Sequence, residues 1–199
     1  RIVMGARLLP LAGYPFALEL RIAYELGEAG LTVSTTATNI GQRACPYGAG
    51  QHPYLAPGRG TIDACHIEVP AATRIITDDA RKLPIGREPV AGTGYDLRRR
   101  RLVGDQQLDE AFTDLGRDQD GAATAVLWGP DGARVELWVD ERYPFLEIYT
   151  GDGLGAGRSR RGLAVEPMTC APNAFQSGEG LIRLEPLESL TTRWGVRLR

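Results

Sequence analysis

Two segments far apart in this sequence supply the groups best suited to proton-transfer chemistry. Gly50-Gln51-His52-Pro53-Tyr54 carries one of the two histidines, and Gly162-Leu163-Ala164-Val165-Glu166-Pro167 carries a carboxylate. An imidazole and a carboxylate brought together by folding suffice for general acid–base catalysis, which requires neither a metal nor a cofactor. By residue type alone, a histidine before proline reads as a surface or structural residue. A glutamate before proline at a strand end likewise reads as solvent-exposed. The second histidine, His66, follows Cys65 directly, and neighbours in a strand face opposite sides of the sheet, so the two make a poor metal-ligand pair. No metal or cofactor is expected. Gly151-Asp152-Gly153-Leu154-Gly155-Ala156-Gly157 lacks the GxGxxG spacing and a following helix, so it reads as a flexible loop over the site rather than a phosphate cradle.

The elements that must position these groups read as β throughout. Phe16 to Tyr24 and Leu31 to Asn39 flank Gly27-Glu28-Ala29-Gly30, and Ala125 to Trp128 and Arg134 to Val139 flank Gly129-Pro130-Asp131-Gly132. Both have the form of hairpins closed by turn residues. Further strands are expected at Thr61 to Val69, Phe145 to Tyr149, Leu163 to Val165, Leu181 to Leu184 and Trp194 to Leu198. Asp109, Glu110, Asp114, Asp118 and Asp120 read largely as a solvated loop. With 25 Gly and 13 Pro in 199 residues, the pattern is that of a large antiparallel sandwich or barrel, and residues 1–199 read as one domain.

Composition excludes several partners. Apolar residues make up 43% of the chain, enough for a real core, and 23 Lys and Arg against 25 Asp and Glu leave a formal charge of -2. That balance offers no general attraction to nucleic acid or anionic lipid. No apolar run reaches membrane-spanning length, and residues 1–13 hold no signal-peptide core. Three cysteines in no CxxC pattern imply neither a disulfide framework nor a zinc cluster, which makes a reducing cytoplasm the expected location. Arg98 to Arg101 and Arg158 to Arg161 are basic clusters that could instead serve an anionic small molecule.

Four blocks carry a family resemblance. Thr38-Asn39-Ile40-Gly41 followed by Pro46 to Tyr54, then Leu108 to Leu115, then Tyr149 to Asp152, then Leu163 to Phe175, resemble in order and spacing the blocks of aldose 1-epimerases, also called mutarotases. The last block is most similar to a bacterial subgroup. The resemblance implies an antiparallel β-supersandwich, here without the N-terminal strands and their sugar-contacting residues, so that dimerisation or a missing N-terminal segment would cover exposed edges. It further implies a cofactor-independent isomerase that interconverts the anomers of a monosaccharide, either a hexose or an anionic hexose derivative. Glu166 would be the general base, His52 the general acid, and Asp109, Glu147 and Tyr54 substrate contacts. Glu147 stands where several relatives carry glutamine. A second carboxylate beside Glu166 would raise one of the two pKa values if both were buried. Two alternatives remain open: a non-catalytic carbohydrate-binding protein on the same fold, or a remnant that needs another polypeptide.

Overall fold

The computed structural model describes residues 1–155 and 157–199. In chain order its first strands are β1 (Ile2–Leu8), β2 (Leu18–Gly27), β3 (Gly30–Asn39), β4 (Cys45–Tyr47), β5 (Tyr54–Leu55) and β6 (His66–Glu68). Next come β7 (Ala71–Thr77), β8 (Pro84–Pro89), β9 (Arg101–Leu102), β10 (Asp109–Leu115), β11 (Ala123–Trp128) and β12 (Arg134–Val139). Then follow β13 (Phe145–Tyr149), β14 (Leu163–Met168), the one-turn helix α1 (Ala174–Ser177), β15 (Ile182–Leu184) and β16 (Ser189–Leu198).

Two antiparallel sheets hold most of these strands. One has eight strands in the order β1-β2-β3-β16-β12-β11-β6-β9, and the other six in the order β5-β14-β13-β10-β7-β8. A third, two-stranded sheet pairs β15 with β4. Burial alternates along β3, β11 and β12, as it must when one face of a strand packs and the other does not. The main core joins the two large sheets: Val33, Leu127 and Leu137 of the first meet Phe112, Leu146, Ile148 and Val165 of the second. Period-2 alternation therefore turns Glu147 and Glu166 to the opposite face of the six-stranded sheet.

Both expected hairpins form. At the first, Gly30 has φ 104°, and a Cβ there would collide with the Val196 carbonyl oxygen on β16, so only glycine fits the turn. The expected Phe145 to Tyr149 strand is β13. Three expectations need correction. Thr61 to Val69 is not one strand, because Ile62–Ala64 forms a 3-10 turn, with Asp63 accepting bonds from the Thr61 hydroxyl and the Arg160 guanidinium. The acidic segment begins with strand β10, whose Ala111, Phe112 and Thr113 are buried. The strand expected at Leu163 to Val165 continues to Met168, so Glu166 is interior to it. Pro167 is tolerated because β5 pairs only with Leu163 and Ala164, so on that side of β14 no ladder bond needs an N–H from residue 167, while its carbonyl still accepts the Gln51 N–H.

The Asn39-x-Gly41 turn anchors the start of the segment that leads to His52. Asn39 is fully buried, its amide donates to the carbonyls of Arg43 and Leu184 at 2.8 and 2.9 Å, and its Oδ1 accepts the Gly41 N–H at 2.9 Å. Asn39→Ala should cost about 2 kcal/mol, because buried carbonyls lose their donors. Urea denaturation checks this. A loss below about 0.5 kcal/mol would mean that solvent satisfies those groups instead.

Candidate active site

The open face of the six-stranded sheet assembles the candidate residues through strand register. Glu147 on β13 is the direct partner of Glu166 on β14 and, on its other side, of Ala111 on β10. The next row joins Asp109 to Tyr149, Tyr149 to Ala164, and Ala164 to Tyr54 on β5. Cα partners in an antiparallel pair project to the same face. Asp109, Glu147, Tyr149, Glu166 and Tyr54 thus share one surface without help from loops.

His52 reaches that surface by a different device. The Gln51 N–H donates to the Pro167 carbonyl at 3.0 Å, and the Val165 N–H donates to the Pro53 carbonyl at 3.2 Å. These two bonds bracket His52 and run its segment along β14. Its Nε2 then lies 2.9 Å from Glu166 Oε1, and its ring stacks on Tyr54 with centroids 5.1 Å apart. The His52 side chain is 54% exposed while that of Glu166 is 15% exposed. The imidazole is therefore the more accessible of the two to solvent or ligand. The two groups are in direct contact, with no gap between them.

Four carboxyl groups crowd this region. Burial raises the Glu166 pKa, opposed by His52 and reinforced by Asp109. Burial together with Asp109, Glu166 and Glu110 pushes Glu147 up to about 8, opposed by Lys82. Lys82 Nζ approaches Asp109 at 3.7 Å. On the reverse side of the sheet, Arg74 bonds both Glu110 at 3.1 Å and Glu88 at 2.8 Å and stacks over Tyr95. Burial still outweighs Arg74 and raises the Glu110 pKa.

Two arms frame the open face. On one side, residues 169–181 fold back so that Ala171 packs with Ile75, Ala111, Phe145 and Met168. Gly180 permits the close approach, since it has φ 66° and a Cβ there would stand only 3.0 to 3.2 Å from Cys170 Cα, the Thr169 carbonyl and the Phe145 ring. An ion pair between Arg87 and Glu179 secures this arm. On the other side lies the loop after β13, in which the Gly153 N–H donates to the Tyr149 hydroxyl at 3.0 Å. Ala156, part of the glycine-rich segment read from sequence as a flexible loop, lies outside the described residues.

Arg160 organises the rest of that loop. Its guanidinium, 14% exposed, bonds Asp63 at 2.5 Å, Asp152 at 2.7 Å, and the carbonyls of Gly104 and Gln106. It is committed to structure rather than held ready for an anionic ligand. The other basic cluster borders the eight-stranded sheet, where Arg98 pairs with Asp96, Arg100 lies over Trp128 and Arg101 bonds the Gly94 carbonyl. Among the described residues, no group of three or more His, Cys, Asp and Glu could hold a metal ion, and no helix is long and apolar enough to cross a membrane.

The sequence reading missed Tyr149 and Lys82 as members of this surface. Tyr149 was accessible from the alternation of Phe145, Glu147 and Tyr149. Lys82 comes from the β7–β8 turn with φ 55° and left no signal in the sequence.

Comparisons with known proteins agree with this architecture. A family model described as Aldose 1-epimerase matches residues 7–197. The chain is 31% identical over 185 residues to the uncharacterized protein YihR of Escherichia coli K12, an alignment covering 92% of this chain and 57% of YihR. It thus spans less than two thirds of that relative's length. Its fold matches the GalM/aldose epimerase homologue of C. elegans with TM-score 0.84 at 16% identity, covering 99% of this chain and 65% of that one. It also matches the galactose 1-epimerase of Lactobacillus acidophilus NCFM with TM-score 0.81 at 21% identity, covering 99% and 62%. With a family model matched along nearly its whole length, on antiparallel sheets of the same fold, this chain belongs to the aldose 1-epimerase family.

Proposed function

We propose that this chain carries the acid–base centre of a carbohydrate mutarotase, with Glu166 as general base and His52 as general acid. The observation that carries the reading is the 2.9 Å contact between them, on a sheet face that also presents Asp109, Glu147 and Tyr54. Ring opening requires removal of the proton from the anomeric hydroxyl and protonation of the ring oxygen. Both oxygens are bonded to the same carbon, so a neighbouring acid and base can reach them together. Glu166 takes the hydroxyl proton, His52 delivers its proton to the ring oxygen, and the C1–ring-oxygen bond breaks to leave a free aldehyde. Rotation about C1–C2 and reclosure, with both roles reversed, give the other anomer. Substrate binding exchanges the His52–Glu166 bond for one bond from each group to the sugar, which the exposed imidazole permits. Asp109 accepts hydrogen bonds from sugar hydroxyls, and the Tyr54 ring offers an apolar surface beside the pyranose.

The direct contact also favours a second reading, a carbohydrate-binding protein without catalysis, because no gap separates the two groups in advance. Anomeric equilibration of freshly dissolved α-glucose and α-galactose, followed by NMR with and without protein, separates the two. Acceleration supports the mutarotase, and binding without acceleration supports the binding protein. His52→Asn should slow ring opening by about 10²-fold while sugar affinity changes far less, since general acid catalysis contributes at least that much. Equal losses of rate and affinity would remove His52 from the acid role.

A further inference from the structure

Among the described residues, each carboxylate around the proposed site has a basic partner except one. Glu166 meets His52 at 2.9 Å, Asp109 meets Lys82 at 3.7 Å and Glu110 meets Arg74 at 3.1 Å. Glu147 has no ion-pair partner among the described residues, although it stands directly opposite Glu166 on the same face of adjacent strands. Like charges directly opposite across an antiparallel pair are destabilising. Because Glu147 is also partly buried, solvent relieves that repulsion only in part.

The surroundings of Glu147 supply no remedy. From β14 it faces Glu166, and behind that carboxylate stands His52, already engaged. On β10 its partner is Ala111, flanked by Asp109 on the same face and by Glu110 on the reverse side. On its own strand the neighbours on that face are Phe145 and Tyr149. The cation that influences it, Lys82 in the β7–β8 turn, sits against Asp109. Only one basic partner, His52, faces the two glutamates and it is taken by Glu166, so ionising both would set Glu147 opposite a second carboxylate with no counter-ion of its own. Glu166 holds the imidazole and is the ionised member.

We propose that Glu147 is the proton-carrying member of a carboxyl pair with Glu166, and that as a neutral acid it donates a hydrogen bond to a hydroxyl oxygen of the bound sugar. This rests on the mutarotase reading for its ligand, but not for the location of the proton. The held proton leaves Glu166 free to act as the single negative charge of the pair. It also gives a face otherwise rich in acceptors a donor that sugar oxygens can use. When the proton is lost, the donor becomes a second anion beside the base, and sugar hydroxyl recognition fails with it. Burial and the surrounding carboxylates push the Glu147 pKa up to about 8, so the proton is held through neutral pH and lost just above it.

The test begins without substrate. In protein labelled with ¹³C at glutamate Cδ, a carboxyl resonance should titrate near pH 8, vanish in Glu147→Gln and move to lower pH in Glu166→Gln. A Glu147 resonance that titrates in the ordinary carboxylate range overturns the proposal. Thermal unfolding gives a second reading. Glu147 binds its proton more tightly in the folded state, so wild type loses stability relative to Glu147→Gln as pH rises from about 5 to about 9. A difference between the two melting temperatures that stays constant with pH overturns the proposal as well. In the anomerisation assay, the ratio of rates at pH 9 and pH 7 should be about fivefold to tenfold higher in Glu147→Gln than in wild type, because the amide keeps its donor at both pH values. Equal ratios overturn the sugar-donor role. If wild type accelerates no anomerisation at any pH while the resonance titrates near 8, the mutarotase reading fails and the protonated pair stands.

Discussion

Glu166→Gln should abolish acceleration of anomer exchange, lowering the rate by about 10²- to 10⁴-fold, the range a positioned general base contributes. The amide keeps the size of the side chain and its place on β14, so the ladder from β13 through Glu147 and the bracketing bonds of Gln51 and Pro53 remain. What disappears is the one anion that holds the His52 ring at 2.9 Å. Removing that charge also relieves Glu147, whose carboxyl then titrates lower. The fold should be unaffected, or slightly stabilised, because a half-buried carboxylate raised by burial gives way to a neutral group. The anomerisation rate and the melting temperature should be measured on the same preparation. A variant that melts like wild type and retains its rate removes Glu166 from the chemistry.

The largest expected loss of stability is at Arg160. Arg160→Met should cost about 3–5 kcal/mol, the cost of breaking a largely buried ion pair and leaving its partner behind. Methionine approximates the length of the arginine stem but strands Asp152, which also accepts from the Thr150 hydroxyl, and the carbonyls of Gly104 and Gln106. Asp63 is half-exposed and suffers less. The pKa directions agree: hydrogen bonding to Arg160 holds Asp63 below the usual carboxylate range, and hydrogen bonds from Thr150 and then Arg160 outweigh burial to hold Asp152 there as well. Chemical denaturation should show the loss at pH 7 and a smaller one at pH 3, where protonated carboxyls have less to lose. A cost below about 1 kcal/mol would mean that water replaces the guanidinium and that the loop is not pinned through it.

The candidate site residues were named from the resemblance, while the path of the chain around them was only partly legible in the sequence. The Phe145 to Tyr149 strand was read from its own pattern, whereas Glu147 and the Asn39-x-Gly41 turn came from the family resemblance and Tyr149 was passed over. Both hairpins followed from their turn residues. β10 escaped because Asp109, Glu110 and Asp114 disguise a strand whose buried positions are few, and because Arg74, distant in sequence, takes the charge of Glu110. The full length of β14 escaped for a similar reason. Proline is a poor strand residue in isolation, and its acceptability at 167 depends on β5 ending early, which only tertiary structure decides. The closeness of His52 to Glu166 depends on backbone bonds between segments more than a hundred residues apart, information that no local pattern contains.

The place of β16 in the eight-stranded sheet sets a timetable for synthesis. It lies between β3 and β12, and the hydroxyl bond that Thr36 shares with Thr191 spans 155 residues of chain. A ribosome adding roughly 5–20 residues per second needs about 8 to 30 s to cover that distance. Throughout that interval the β2–β3 hairpin has one long hydrogen-bonding edge with no native partner, and such edges recruit other chains. Loop closure of this length also makes refolding slow by topology alone. In a cell, then, the nascent chain's exposure to misassembly is governed by translation speed and by chaperone occupancy of that hairpin, and slowing elongation after β3 should lower the yield of native protein rather than raise it.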